Sequence, residues 1–187
     1  MVRKLVAATM ASMVLSADAR VGETSAECET RYGKGRFVEL KLGAGLAEKR
    51  KDAAHPWSAM IYSTRGLKIQ VVFENDKAVF LKYSNEPVLQ LEADSPPALD
   101  LTAREIEFLK RANGAGWKSH RDPLLSKVAP TMKVWKTSDG TRFGGYDRDR
   151  KALFVCNSEF WQIVVGEIRA RYEAGASGSA ATRLEGM

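Results

Sequence analysis

One stretch limits the fold of this chain more than any other. Leu67–Phe73 reads LKIQVVF, with Leu67, Ile69, Val71 and Phe73 on one side of a period-two pattern and Lys68 and Gln70 on the other. That period fits a half-buried strand and does not fit a helix. ENDK, residues 74–77, supplies Asn/Asp turn chemistry, and Ala78–Tyr83 returns as a second strand. Trp57–Ser63 lies just ahead, closed by Thr64-Arg65-Gly66, so the segment predicts a three-stranded antiparallel meander with one face on a core.

The pattern then returns. Gly66–Ser84 is GLKIQVVFENDKAVFLKYS and Gly140–Ser158 is GTRFGGYDRDRKALFVCNS, with five identities in nineteen ungapped positions. The offset is even, so inward and outward faces are kept. The second block breaks into strands Met132–Thr137, Arg142–Tyr146 and Ala152–Cys156, with tight polar turns between them.

A helix start precedes each block. Thr24-Ser25-Ala26-Glu27 and Thr102-Ala103-Arg104-Glu105 are both capping boxes, a hydroxyl at the N-cap with a carboxylate three residues on. The first predicts a helix over Ser25–Tyr32, ended by Gly33. The second predicts a helix with Ile106, Leu109 and Ala112 on one face, ended by Asn113-Gly114. Trp57 lies 33 residues after Thr24, and Trp135 lies 33 after Thr102. This shared order predicts an internal duplication, with repeats over 24–84 and 102–158, although hairpin chemistry alone also produces such identities.

Arg36–Leu42 alternates as a further strand, residues 43–55 read as loop, and residues 84–100 form a Pro-containing linker in which 88–91 can pair as a short edge strand. Asn157–Glu173 predicts a closing helix with Trp161, Val164, Ile168 and Tyr172 in a stripe. Residues 174–187, rich in Gly, Ser and Ala, read as a flexible tail. The expectation is an α+β fold over residues 20–173: two helix-plus-antiparallel-meander units and a C-terminal helix, with the helices on one sheet face and the other face free.

The first nineteen residues carry a different message. Arg3 and Lys4 precede the uncharged run LVAATMASMVL, and Ala17 and Ala19 are small residues of the kind a signal peptidase cuts after. This three-part pattern predicts a signal peptide over residues 1–19, cleavage near Ala19, and export to the periplasm or medium. The competing reading is an amphipathic first helix, but the run has no polar stripe. It is also shorter than the about 20 residues a membrane span needs, so no transmembrane segment is expected in the mature chain. Removal of Arg3, Lys4 and Asp18 takes the formal charge from +6 to +5. The basic residues are interleaved with acids, as in EKRKD and RDRK, so a solvated surface is expected and nucleic acid is not a predicted partner.

Candidate chemistry is sparse. Cys28 and Cys156, the two cysteines, permit one disulfide in an oxidising compartment, or remain two buried thiols. A Cys–His pair from either with His55 or His120 would make a small hydrolase-like enzyme, but no nucleophile-elbow motif surrounds any of them and no catalytic residue is assigned. No metal-ligand spacing, P-loop or dinucleotide fingerprint occurs, so no metal or cofactor is predicted. The remaining pointer is a set of polar and aromatic strand residues, Lys68, Gln70, Lys82, Trp135, Arg142 and Tyr146. On an open sheet face these make a protein-binding surface, while the ordinary alternative is a solvated strand face.

With CETRYGKG followed by a strand, a Trp/Tyr strand and LKIQVVFENDKAVFLKY, residues 23–156 resemble small uncharacterised bacterial exported proteins. More distantly the arrangement is similar to the tandem α/β repeat of the β-lactamase inhibitor protein and of the small outer-membrane assembly lipoprotein. The chain has no lipid-attachment cysteine at the cleavage site and no matching inhibitor loop. The resemblance implies a non-enzymatic binding scaffold. The expected partner, bound through the free sheet face, is another envelope protein.

Overall fold

The computed structural model describes residues 20–39, 57–64, 66–85 and 99–184, with side chains placed to residue 174. The hairpin that anchors the sequence reading comprises β3 (Leu67–Glu74) and β4 (Lys77–Asn85). Ile69 pairs with Tyr83 and Val71 with Leu81, as the alternation predicts. Asn75 and Asp76 both have positive φ, 51° and 57°, which the two central residues of a type I′ turn require. The Asp76 carboxylate also accepts from the backbone N–H and hydroxyl of Ser25, so the hairpin tip holds the first turn of α1 (Ser25–Tyr32).

The remaining elements follow the same logic. β1 (Arg36–Val38) and β2 (Ser58–Thr64) extend the first meander; residues 40–42 and the edge strand expected at 88–91 lie outside the described residues. After α2 (Ala103–Asn113) come β5 (Lys118–Ser119) and the single turn α3 (Leu125–Val128). β6 (Met132–Lys136), β7 (Arg142–Asp147) and β8 (Ala152–Asn157) form the second meander, and α4 (Ser158–Leu184) closes the chain. Both capping boxes close: the Thr24 and Thr102 hydroxyls accept from the N–H groups of Glu27 and Glu105, whose carboxylates accept from the two threonine N–H groups.

Among the described residues, eight strands join one antiparallel sheet in the order β1-β2-β3-β4-β8-β7-β6-β5. The last strands of the two meanders therefore meet at its centre, with Leu81 opposite Val155 and Tyr83 opposite Leu153. The fold is α+β as expected. Among the described residues no helix is long and apolar enough to cross a membrane.

The sheet has two covered faces, which corrects the expected arrangement of helices on one face only. On the first face, Cys28 and Tyr32 of α1 and Leu109 of α2 pack onto Ile69, Val71, Leu81 and Leu153. A buried amide ties this layer together. The Asn113 side chain accepts from the Val21 N–H (3.1 Å) and donates to the Tyr83 hydroxyl (2.9 Å) and the Leu109 carbonyl (3.0 Å). The Arg142 guanidinium donates to the Asn113 carbonyl, so the end of α2 is fixed to both β4 and β7.

On the second face, α4 lays Phe160, Trp161 and Val165 against Val72, Phe143 and Cys156. Burying three such side chains is worth on the order of 5–9 kcal/mol, enough to keep the first turns of α4 docked. The predicted stripe stops early, because Tyr172 is exposed. The helix itself continues to Leu184, past the expected end at Glu173. Alanines at 174, 176, 180 and 181 favour helix strongly enough to offset Gly175 and Gly178.

Candidate functional site

Consecutive glycines prepare the site. At Gly144 a β-carbon would come 3.3 Å from the Trp117 ring on the first face of the sheet. At Gly145 it would overlap the Phe154 ring on the second. Two residues without side chains thus let an indole and a phenyl ring close on opposite sides of β7. Phe154 in turn stacks with Phe80 at 6.3 Å between ring centroids and with Trp161 at 6.2 Å. Phe160 joins them, 5.0 Å from Phe80 and 4.9 Å from Trp57. Stacked and tilted contacts at these separations stabilise an aromatic floor beyond simple burial.

A cleft of about 480 Å³ lies between the sheet and α4, with this aromatic cluster as its floor. Val164, Ile168 and Met132 form aliphatic walls. Charged groups gather at its polar margin. Arg150 pairs with Asp147 (3.6 Å) and Arg171 with Glu167 (3.0 Å). Lys82 and Gln70 face each other across β3 and β4, and Lys82 lies opposite Phe154 on β8. Among the described residues Lys82 forms no ion pair, so the five charged groups of the cleft leave one net positive charge.

The six candidate residues do not form one surface. Gln70 and Lys82 line the cleft, and Lys68 continues the same face toward its exposed end. Trp135, Arg142 and Tyr146 lie on the other face, beneath the α1/α2 layer. The Trp135 ring packs on the first core, with the Lys110 ammonium 4.4 Å from it. Arg142 is committed to the carbonyls of Asn113 and Val21. Tyr146 is buried and donates to the Asp100 carboxylate (3.1 Å), and burial followed by that bond raises its pKa.

The cysteines lie apart. Cys28 belongs to the first core and Cys156 to the second, on opposite sides of the sheet, and both are unbonded, which removes the disulfide alternative. Burial, reinforced by the Glu23 carboxylate, pushes the Cys28 thiol up to about 12, and burial alone raises Cys156 further. Neither thiol is held as a thiolate at neutral pH, which a nucleophile needs. The His120 ring stands edge-on to Phe143, at 5.5 Å, and His55 lies outside the described residues.

The aromatic residues of the cleft were not singled out from sequence as a site, though two signals point to them. Gln70 and Lys82 share parity with Val72 and Phe80, so the polar face of the hairpin is apolar at one end. The stripe Trp161–Val164–Ile168 also needs an apolar surface to lie on.

No family model matches the chain, and no curated protein matches it significantly. Among solved structures, it is similar to a cysteine-rich secretory protein of Staphylococcus aureus, at 12% identity and a TM-score of 0.41, covering 75% of this chain and 45% of that one. It is similar also to an extracellular protein of Bacillus anthracis containing an SCP domain, at 12% identity and a TM-score of 0.36, covering 86% and 50%. The chain spans half or less of the length of these proteins. Likeness this shallow assigns neither family nor activity.

Proposed function

We propose that the chain is an exported, non-enzymatic binding protein of the cell envelope, and that it binds in the cleft beneath α4. The aromatic-floored cavity of about 480 Å³ carries the reading. Its volume falls in the range of ligand sites, roughly 300–1,000 Å³, and a few polar groups converge on an otherwise apolar lining, as in such sites. Catalysis is the weaker alternative, because both thiols are buried on opposite faces of the sheet with raised pKa values. Export is supported by the charged start, the apolar run and Ala17/Ala19.

Two measurements test this. Mass spectrometry of the protein recovered outside the cytoplasm is expected to show a chain starting near Arg20, and an intact Met1 removes the export claim. Titration with Nile red, an uncharged dye that shifts blue in apolar surroundings, is expected to saturate at one site. Val164→Trp, which fills the cleft from a partly buried wall, is expected to abolish it. Equal dye binding by both proteins removes the claim for the cleft.

A further inference from the structure

We propose that the ligand of the cleft is an amphipathic monoanion, an apolar body bearing one carboxylate, with Lys82 as the headgroup contact. This rests on the cleft being the binding site and adds the chemical class of what it holds. The charge distribution carries the inference. Four of the five charged side chains around the cleft are already matched as Arg150–Asp147 and Arg171–Glu167. The fifth, Lys82, is partly buried and has no acidic partner among the described residues.

A partly buried ammonium beside apolar surface loses hydration without recovering it from a counterion. A ligand carboxylate supplies that counterion in a charge-assisted hydrogen bond. Gln70, directly across the strand pair, offers an amide N–H to the second oxygen. Beyond Lys82 the lining becomes Phe80, Phe154, Trp161 and the aliphatic wall of α4, which suits an apolar body and gives no partner to a second polar group buried there. A dianion exceeds the single uncompensated charge, and a cationic head meets Lys82 with like charge.

The test compares three ten-carbon chains, decanoate, decanol and decylammonium, by calorimetry at concentrations below micelle formation. The proteins are the native chain, Lys82→Gln and Lys82→Arg. Decanoate is expected to bind about tenfold or more tightly than decanol, the scale of one hydrogen bond to a charged group. Lys82→Gln is expected to erase that preference while leaving decanol binding unchanged, and Lys82→Arg to retain it. Decanol matching decanoate on the native protein, or decanoate binding unaffected in Lys82→Gln, overturns the headgroup assignment and leaves the cleft standing. Tightest binding of decylammonium overturns it in favour of the aromatic floor holding a cation. If no chain binds, both the headgroup and the cleft are overturned.

Discussion

Gly145→Ala isolates the packing that opens the cleft. The added β-carbon would overlap Cζ of Phe154 and lie 2.6 Å from its Cε1, closer than folded structures tolerate, and 3.1 Å from its Cε2. The ring must therefore leave its place. Overpacking of this kind costs typically about 1–3 kcal/mol. Displacing the ring also weakens two aromatic contacts, to Phe80 and Trp161, each worth roughly 0.5–1.5 kcal/mol. The variant is thus expected to lose about 2–4 kcal/mol. In a Phe154→Ala background the obstacle is gone, and Gly→Ala within a strand there stabilises by roughly 0.5–1 kcal/mol. Urea unfolding of the four proteins of this cycle gives the coupling, expected at about 2.5–5 kcal/mol because the loss with Phe154 and the gain without it add. A Gly145→Ala cost that is the same with and without Phe154 would refute the packing argument.

Three further outcomes follow from the same geometry. Asn113→Ala removes three hydrogen bonds from a fully buried side chain and is expected to cost about 2–4 kcal/mol by urea unfolding; a loss below about 0.5 kcal/mol would contradict its role as a tie between α2, β4 and the Val21 segment. Asp76, Glu27 and Asp139 are held below the usual carboxylate range, by the Ser25 hydroxyl and N–H, by the Thr24 N–H and hydroxyl, and by the Thr137 hydroxyl and Thr141. Folded values below unfolded ones mean that this stability is full above about pH 4–5 and is lost as pH falls through the lowered values. The urea midpoint is therefore expected to drop as pH falls from about 5 to 3, less steeply in Asp76→Asn; equal slopes would contradict the Asp76 contribution. Cys28 and Cys156 are expected to resist alkylation in the native protein and both to react in denaturant without reductant, read as two adducts by mass; no adducts in denaturant would indicate the disulfide that the structure lacks.

Local order was legible because its causes are local. The capping boxes at Thr24 and Thr102, the helix stops at Gly33 and Gly114, and the ENDK turn depend on residues a few positions apart. The six strands of the two meanders were legible from alternation and turn chemistry. What alternation leaves open is which face of the sheet each helix covers. Trp135, Arg142 and Tyr146 show a typical polar or aromatic pattern, yet they face the α1/α2 layer, whose position depends on contacts such as Arg142 to Asn113 and Val21, far apart in sequence. Lys82 and Gln70 gained their setting only when α4 folded back onto β7 and β8. The five identities between the hairpins remain a proposal of duplication, supported by the mirrored strand order and by the pairing of β4 with β8.

The four tryptophans offer a direct test of the binding claim, because they divide between the faces. Trp161 lines the cleft and Trp57 packs beside it on Phe160, whereas Trp117 and Trp135 lie against the first core. In a ¹⁵N-labelled protein each indole N–H gives a separate resonance. Titration with decanoate is expected to move the Trp161 signal and leave those of Trp117 and Trp135 in place. Movement of Trp117 or Trp135 without Trp161, or no movement at all, would contradict a ligand held between α4 and the sheet.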